Sequence, residues 1–301
     1  MTSGDPATVC AVVVTYNRLT LLRECLAALR AQTRKVDHVL VVDNASTDET
    51  PEVVRSEFPE FELHRLPANA GGAGGFEAGM RRAHERGYTW YWLMDDDTIP
   101  EPEALERLLA APARLEGLPR PMILAGRAVT VDGGLHPMNW VRPAARRFDL
   151  FVDATARGLM PIRYASFVSF LVHRDAVDEW GFPYGDYFIW NDDFEYSARI
   201  LRHATGYFVP DSIVCHKGGV SDTTSVGERY YYEVRNKILA LRAGAFGPDE
   251  RSDTVRTGAT VALGIVAYLR DNRMSATAVK TVARGLRDAA THAPDGRPRG
   301  R

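Results

Sequence analysis

Three consecutive carboxylates, Asp95, Asp96 and Asp97, close an apolar and aromatic run at residues 88–94 (YTWYWLM). Such a run with a sharp polar stop predicts a buried strand that surfaces at its C-terminal end. In open α/β sheets that edge is where ligands bind. Three carboxylates at one strand end repel one another, so a positive group is expected beside them. A divalent cation held by one or two of these acids and sharing its other positions with phosphate oxygens suits such hard donors. A solvated acidic turn, with Asp97 or Thr98 capping the next helix, fits the same stretch. A second aromatic and acidic cluster follows at residues 184–199 (YGDYFIWNDDFEYSAR), and a histidine, His216, ends the apolar run at 207–216. Asp192 and Asp193 suit a helix N-terminus complementing the dipole with Glu195. Asp43 suits the start of a turn with Asn44.

The elements that must position these groups alternate strand and helix. Residues 9–14 (VCAVVV) and 38–42 (HVLVV) read as strands buried on both faces. After the first, Leu22, Leu26 and Leu29 fall on one helical face. After the second, Ser46 and Glu49 have capping-box spacing for a helix through about residue 58. A short strand at 61–66 leads into a glycine-rich loop at 69–75, a helix to about 86, and then the strand that ends in the aspartates. Beyond them come a helix with Pro102 in its first turn and Leu105, Leu108 and Leu109 inward, then strands at 122–130, 165–172 and 207–216. The stretch 132–163 reads as irregular, and helices are expected at 230–242, 255–270 and 276–289. Four β–α units with short polar strand ends predict an α/β fold with a doubly wound, mostly parallel sheet. A dinucleotide-binding dehydrogenase is disfavoured, because residues 71–75 contain no Gly-x-Gly-x-x-Gly and the first strand–helix turn has no glycine.

The bulk composition is that of an ordinary globular protein: 301 residues, 45% hydrophobic, 25% charged, net charge −2. No basic-then-apolar leader begins the chain and no apolar run nears a membrane span, so a cytoplasmic location is expected. Cys10, Cys25 and Cys215 lack metal or disulfide spacing and read as free thiols. Residues 251–301 hold ten Lys/Arg against four Asp, or +6, leaving −8 on the rest. Such a basic segment suggests contact with an anionic surface, or simply solvated helix faces.

The motifs VVVTYNR (12–18), VVDNASTDET (41–50), NAGGAGGFEAG (69–79), MDDDTIP (94–100), WNDDFEYSAR (190–199) and the later His216 occur in the order seen in glycosyltransferase family 2. The chain resembles that family over most of residues 9–240. Within it, NAGGAGGF, the triple aspartate and YYYEVRN most resemble bacterial galactofuranosyltransferases and rhamnosyltransferases of cell-envelope glycan assembly. The resemblance implies a GT-A fold, a nucleotide-sugar donor such as UDP-galactofuranose or dTDP-rhamnose, Mn2+ or Mg2+, and inversion at the anomeric carbon. It implies a catalytic domain over 1–227, with a nucleotide-binding half at 1–100 and an acceptor half at 101–227, and a basic helical extension at 228–301. Secondary-metabolite glycosylation is an alternative, and a nucleotidyltransferase a more remote one.

Residue by residue, the resemblance places Thr15, Asn17 and Asp43 on the nucleotide, with Gly71 and Gly72 beside it. Asp95 and Asp97 match the outer acids of the Asp-x-Asp motif: Asp97 for the metal, Asp95 shared between metal and ribose, and Asp96 near the donor with a less defined role. His216 adds a nitrogen ligand or a donor to the diphosphate, and a mixed N/O shell slightly favours Mn2+. Asp193 corresponds to the catalytic base, and Trp190 to a wall against a sugar. The segment reads Asn-Asp-Asp where many members have Glu-Asp, which leaves Asp192 a rival base. Ala70 and Ala73 replace frequent amides in the glycine segment. The loop 218–227 (GGVSDTTSVG) is expected to order over the donor as a lid. The acceptor is expected to be a glycan or lipid-linked hydroxyl and not a nucleic acid. Arg256, Arg270, Arg273, Lys280, Arg284 and Arg287 suit peripheral contact with the inner face of a plasma membrane.

Overall fold

In the computed structural model, the residues described are 7–139, 141–144, 147–218, 227–246 and 251–292. Strands β1 (Val9–Thr15), β2 (His38–Asp43), β3 (Glu62–Arg65) and β4 (Trp90–Asp95) form a parallel half-sheet in the order β3-β2-β1-β4. All seven residues of β1 are buried, because helices cover both of its faces. That is why VCAVVVT is apolar throughout instead of alternating. On one face, α1 (Leu19–Arg30) packs Leu22, Leu26 and Leu29 with Val9, Ala11 and Val13. On the other, α3 (Gly71–Glu85) sets Phe76 and Met80 against Val12 and Val14.

The sheet continues through β9 (Phe170–His173), antiparallel to both β4 and β6 (Pro121–Val129). Strand β10 (Thr205–His216) lies parallel to β6, with β8 (Met160–Tyr164) and β7 (Arg142–Pro143) beyond it. A short β5 (Thr98–Pro100) pairs antiparallel with the end of β10, placing Thr98 opposite His216. This β5 tie was not visible in the sequence. It delays α4 (Ala104–Arg114), so neither Asp97 nor Thr98 caps that helix.

Several expected boundaries change for identifiable reasons. The glycine segment is not a loop: α3 starts at Gly71, and its glycines let the helix close on β1. A Cβ at Gly75 would lie 2.5 Å from Val14 Cγ1, and one at Gly79 would collide with Val12. Ser46 and Glu49 form no capping box, because the Ser46 hydroxyl accepts from the Asn17 amide and α2 (Thr50–Glu57) begins one residue later than Glu49. The strand expected at 165–172 shrinks to β9, interrupted by Ser169 at φ 54°. The stretch read as irregular contains β7, β8 and α5 (Phe148–Thr155). Leu105 and Leu108 are buried, while Leu109 is only partly so.

Helices α7 (Asp192–Leu201), α8 (Tyr230–Arg242), α9 (Arg251–Asp271) and α10 (Ala276–Thr291) complete the chain, and Tyr230 stacks on Tyr268 at 4.1 Å to join α8 to α9. Tyr230, Val234, Tyr268, Ala278 and Val282 form their shared core.

Candidate functional site

The triple aspartate sits beside the end of β1, where the strand order reverses direction from β2 to β4. The positive group anticipated there is Arg18. Its Nη1 donates to Asp97 Oδ2 at 2.6 Å and to Asp96 Oδ1 at 3.2 Å. Thr15 Oγ1 donates to Asp96 Oδ2 at 2.7 Å, so the middle acid is a structural hub and Thr15 spends its hydroxyl on it. Burial pushes Asp96 up to about 6, with Thr15 and Arg18 holding it down. Asp95 is driven well above the ordinary carboxylate range by burial and then by the charges of Asp97, Asp96 and Asp192. Asp97 goes the other way: burial would raise it, but His216 and then Arg18 more than offset that.

Whether Asp97 and His216 suit a cation can be tested on their geometry. His216 Nδ1 lies 2.7 Å from Asn139 Oδ1, and its Nε2 lies 3.2 Å from Asp97 Oδ1. Asp97 Oδ1 is fully buried yet makes no hydrogen bond. In the tautomer that gives its Nδ1–H to Asn139, His216 turns an unprotonated Nε2 toward this carboxylate oxygen; as the imidazolium it instead pairs with Asp97 and favours the ionised acid. A histidine oriented by an amide oxygen on its far nitrogen is the usual second-shell arrangement at a metal. Gly218 keeps the spot open, since a Cβ there would lie 2.7 Å from His216 Nε2 and 3.0 Å from Asp97 Oδ2. Asp97 and His216 therefore fit a divalent cation. Among the described residues no three acids or histidines already converge as a cage, so exogenous oxygens would have to complete the shell.

On the other side of β1, Asp43 is fully buried. Its Oδ1 accepts from the Ser46 amide at 2.9 Å, while Oδ2 has no hydrogen bond and sits 3.4 Å from Arg65 Nε. Asn17, at φ 53°, ties the two strand ends together: its amide donates to Ser46 Oγ, and its Oδ1 accepts from the Thr47 amide at 2.7 Å. Gly71, at φ 72°, lies so close to the Phe188 carbonyl that no side chain fits, whereas Gly72 faces open space.

The second acidic cluster lies at the start of α7. Asp193 opens into a cavity of about 460 Å³ with Arg142, Asn191, Lys237 and Arg256. Burial pushes its carboxyl up to about 6, held down by the amides of Phe194 and Phe167. Asp192 is buried, does not line that cavity, and is pushed up to about 8 by burial and by Asp193. The loop that delivers both acids is strained: Phe188, Trp190 and Asn191 all have φ between 63° and 65°. It is held by Asn236, whose Nδ2 donates to the carbonyls of Tyr187, Ile189 and Trp190 at 2.8–2.9 Å. Strain of this kind survives only when surrounding contacts over-determine it.

The sequence profile of Glycosyl transferase family 2 matches residues 10–180. The chain belongs to that family. Galactofuranosyltransferase GlfT1 of Mycolicibacterium smegmatis is 33% identical over 200 residues, covering 64% of this chain and 65% of that protein. The chain thus spans less than two thirds of that relative. S. aureus TarS superposes with a TM-score of 0.66 at 14% identity, covering 96% of this chain and 49% of that one. TarS 1-349 in complex with UDP-GlcNAc superposes at 0.62 and 15% identity, over 94% and 80%. At such identities the likeness establishes the fold, and this family 2 glycosyltransferase has the mixed α/β GT-A architecture with a mostly parallel central sheet.

Within this family member, the structure gathers Thr15, Asp95, Asp96, Asp97 and His216 at one edge, with Asn17 and Asp43 at the neighbouring strand end. Asp193 stands at the α7 cavity. Sequence reasoning missed Arg18, although it directly follows Asn17. It also missed Asn139 and His136, whose ring lies 4.3 Å from that of His216, because both fall in the stretch read as irregular. The expected lid falls largely on residues 219–226, outside the described residues. Among the described residues no helix is long and apolar enough to cross a membrane.

Proposed function

We propose that this family 2 glycosyltransferase moves a sugar from a nucleoside-diphosphate donor to an acceptor hydroxyl, with divalent-metal dependence and inversion. The observation that carries the reading is the buried Asp97 Oδ1, which makes no hydrogen bond and lies 3.2 Å from His216 Nε2, across the end of β1 from Asp43. Asp97 and His216 would hold Mn2+ or Mg2+, with Asp95 shared toward the ribose; bound there, the ion neutralises charge on the departing diphosphate. Asp43 Oδ2, which makes no hydrogen bond and lies 3.4 Å from Arg65 Nε, would accept from a nucleobase N–H. Asp193 takes the proton as the acceptor hydroxyl attacks the anomeric carbon, while Asp192, buried and pushed up to about 8, is the less suited of the two acids to be the base. Trp190 supplies apolar surface for a sugar. Similarity to a galactofuranosyltransferase favours a galactofuranosyl donor, and the family resemblance pairs that sugar with UDP.

Calorimetric titration with UDP, with and without Mn2+, tests the reading. Mn2+ should tighten UDP, and Asp97→Ala should lose about tenfold or more of that gain. UDP binding that ignores Mn2+ in the unaltered protein overturns the metal assignment.

A further inference from the structure

The Asp193 side and the cation side of the site meet in the short connection between β8 and β9. Ser197 Oγ, on α7, accepts from the Ala165 amide at 3.1 Å and donates to the Asp193 carbonyl at 2.6 Å, fastening that connection to the start of the helix. Two residues on, the Phe167 amide donates to the Asp193 carboxylate. Between them Ser166 lines the Asp193 cavity, and its Oγ accepts from Asn139 Nδ2 at 3.0 Å. With Nδ2 spent there, Asn139 turns Oδ1 to His216 Nδ1 at 2.7 Å, and His216 Nε2 lies 3.2 Å from Asp97 Oδ1. Asn139 reaches this place because the chain doubles back after β6: the His136 amide donates to the Ala128 carbonyl at 3.1 Å, and the Asn139 amide to the His136 carbonyl at 3.2 Å. The buried His136 ring packs 4.3 Å from that of His216. An amide oxygen only accepts, so the ring nitrogen in front of it carries the hydrogen. Of the two neutral tautomers of His216, Asn139 therefore disfavours the one with Nε2–H, which would leave no lone pair toward a cation. An amide does this without adding a fourth carboxylate to Asp95, Asp96 and Asp97.

We propose that Asn139 and Ser166 are positioning residues, a hydrogen-bonded chain that carries the placement of the Asp193 cavity wall to His216 and fixes its tautomer for the cation. The assignment rests on the reading of Asp97 and His216 as the cation site. Partners of this kind, one shell behind a ligand, set its orientation and basicity, and their loss weakens metal binding although they never touch the ion.

Calorimetric titration with UDP, with and without Mn2+, reads the chain. Asn139→Leu should remove about ten- to a hundredfold of the gain that Mn2+ gives and leave metal-free UDP affinity unchanged. Asn139→Asp should keep the gain, because a carboxylate accepts from Nδ1 in the same way. Ser166→Ala should lose about threefold, and combining it with Asn139→Leu should cost no more than Asn139→Leu alone, since both act through one chain. Nitrogen-15 NMR of the metal-free protein in alkaline buffer, with His216→Gln for assignment, should show His216 as the Nδ1–H tautomer, and Asn139→Leu should shift it toward Nε2–H. Additive losses, equal loss with and without Mn2+, a loss in Asn139→Asp as large as in Asn139→Leu, or an Nε2–H ring in the unaltered protein each overturn the proposal. UDP binding that ignores Mn2+ in the unaltered protein strikes the metal reading beneath it; a Mn2+ gain that survives Asn139→Leu strikes the proposal alone.

Discussion

Asp193 must be unprotonated to accept a proton, and its burial sets the pH at which that holds. With the carboxyl pushed up to about 6, transfer should be poor below that pH, rise through it and level off above. A kcat/KM profile between pH 4.5 and 8 checks this, and a flat profile removes Asp193 from the proton path. Replacement by Asn should lower kcat by ~10²–10⁴-fold, the usual contribution of a positioned base. The same shift has a stability sign. An acid with a raised folded pKa is relatively favoured protonated, so its ionisation takes stability away as pH climbs from the ordinary aspartate range to about 6. For Asp192 the loss extends to about 8. Asp192→Asn should therefore raise Tm more at pH 8.5 than at pH 5, measured by thermal unfolding. The residue-level electrostatics around Asp97 run opposite, because His216 and Arg18 favour its charged form.

Two elements do most to place these groups. Helix α3 approaches β1 closely only because Gly75 and Gly79 lack side chains, and that approach positions the Asn44–Gly71 contact at 3.0 Å. Gly79→Ala drives a methyl into Val12 and should cost about 1–3 kcal/mol, as overpacking usually does, seen as a lowered denaturation midpoint. Helix α8 acts through Asn236, which satisfies three carbonyls of the strained 187–190 stretch. Asn236→Ala strands those carbonyls, at about 1–3 kcal/mol for an unsatisfied buried group, and lets Phe188, Trp190 and Asn191 relax. Transfer should then fall further than UDP affinity, because the loop carries Asp193 and not the nucleotide contacts. Equal loss of both would point to general unfolding instead.

At the scale of the molecule, α9 has two unlike sides. One lines the Asp193 cavity with Arg256, Thr257 and Thr260; another leaves Val255, Leu263 and Val266 63–71% exposed. Arg270 on α9 and Arg287 on α10, 76% and 69% exposed, reach solvent while pairing with Asp271 and Asp288 at 2.8 Å. An apolar stripe flanked by arginines suits an anionic bilayer surface, where burial of the stripe and charge attraction add. We expect the protein to float with liposomes containing anionic lipid, and Leu263→Glu with Val266→Glu to abolish flotation without lowering Tm. Flotation that is equal on neutral liposomes, or survives the double change, removes the membrane from the account.

What the sequence by itself determined is whatever depends on neighbours along the chain. Continuous β-branched runs dictated the parallel strands, and polar stops marked their ends, so Asp43, Asp95–Asp97 and His216 were legible as edge residues before any coordinate was known. The need for a positive partner at the triple aspartate was legible too, but its identity was not. Arg18 and Asp97 stand 79 residues apart, and only the β1–β4 pairing brings them to 2.6 Å. The glycines looked like a loop because composition records the missing side chains without saying what fills the space; β1 fills it. Asn236, 46 residues from Trp190, reads as an unremarkable helix residue until folding sets it under three carbonyls. The cations beside Asp193 meet in the same way, Arg142 on β7 and Arg256 on α9 sharing one oxygen of Asp253. Local pattern therefore fixed which strand ends carry the acids. Long-range packing decided which cations, amides and cavities those acids would face.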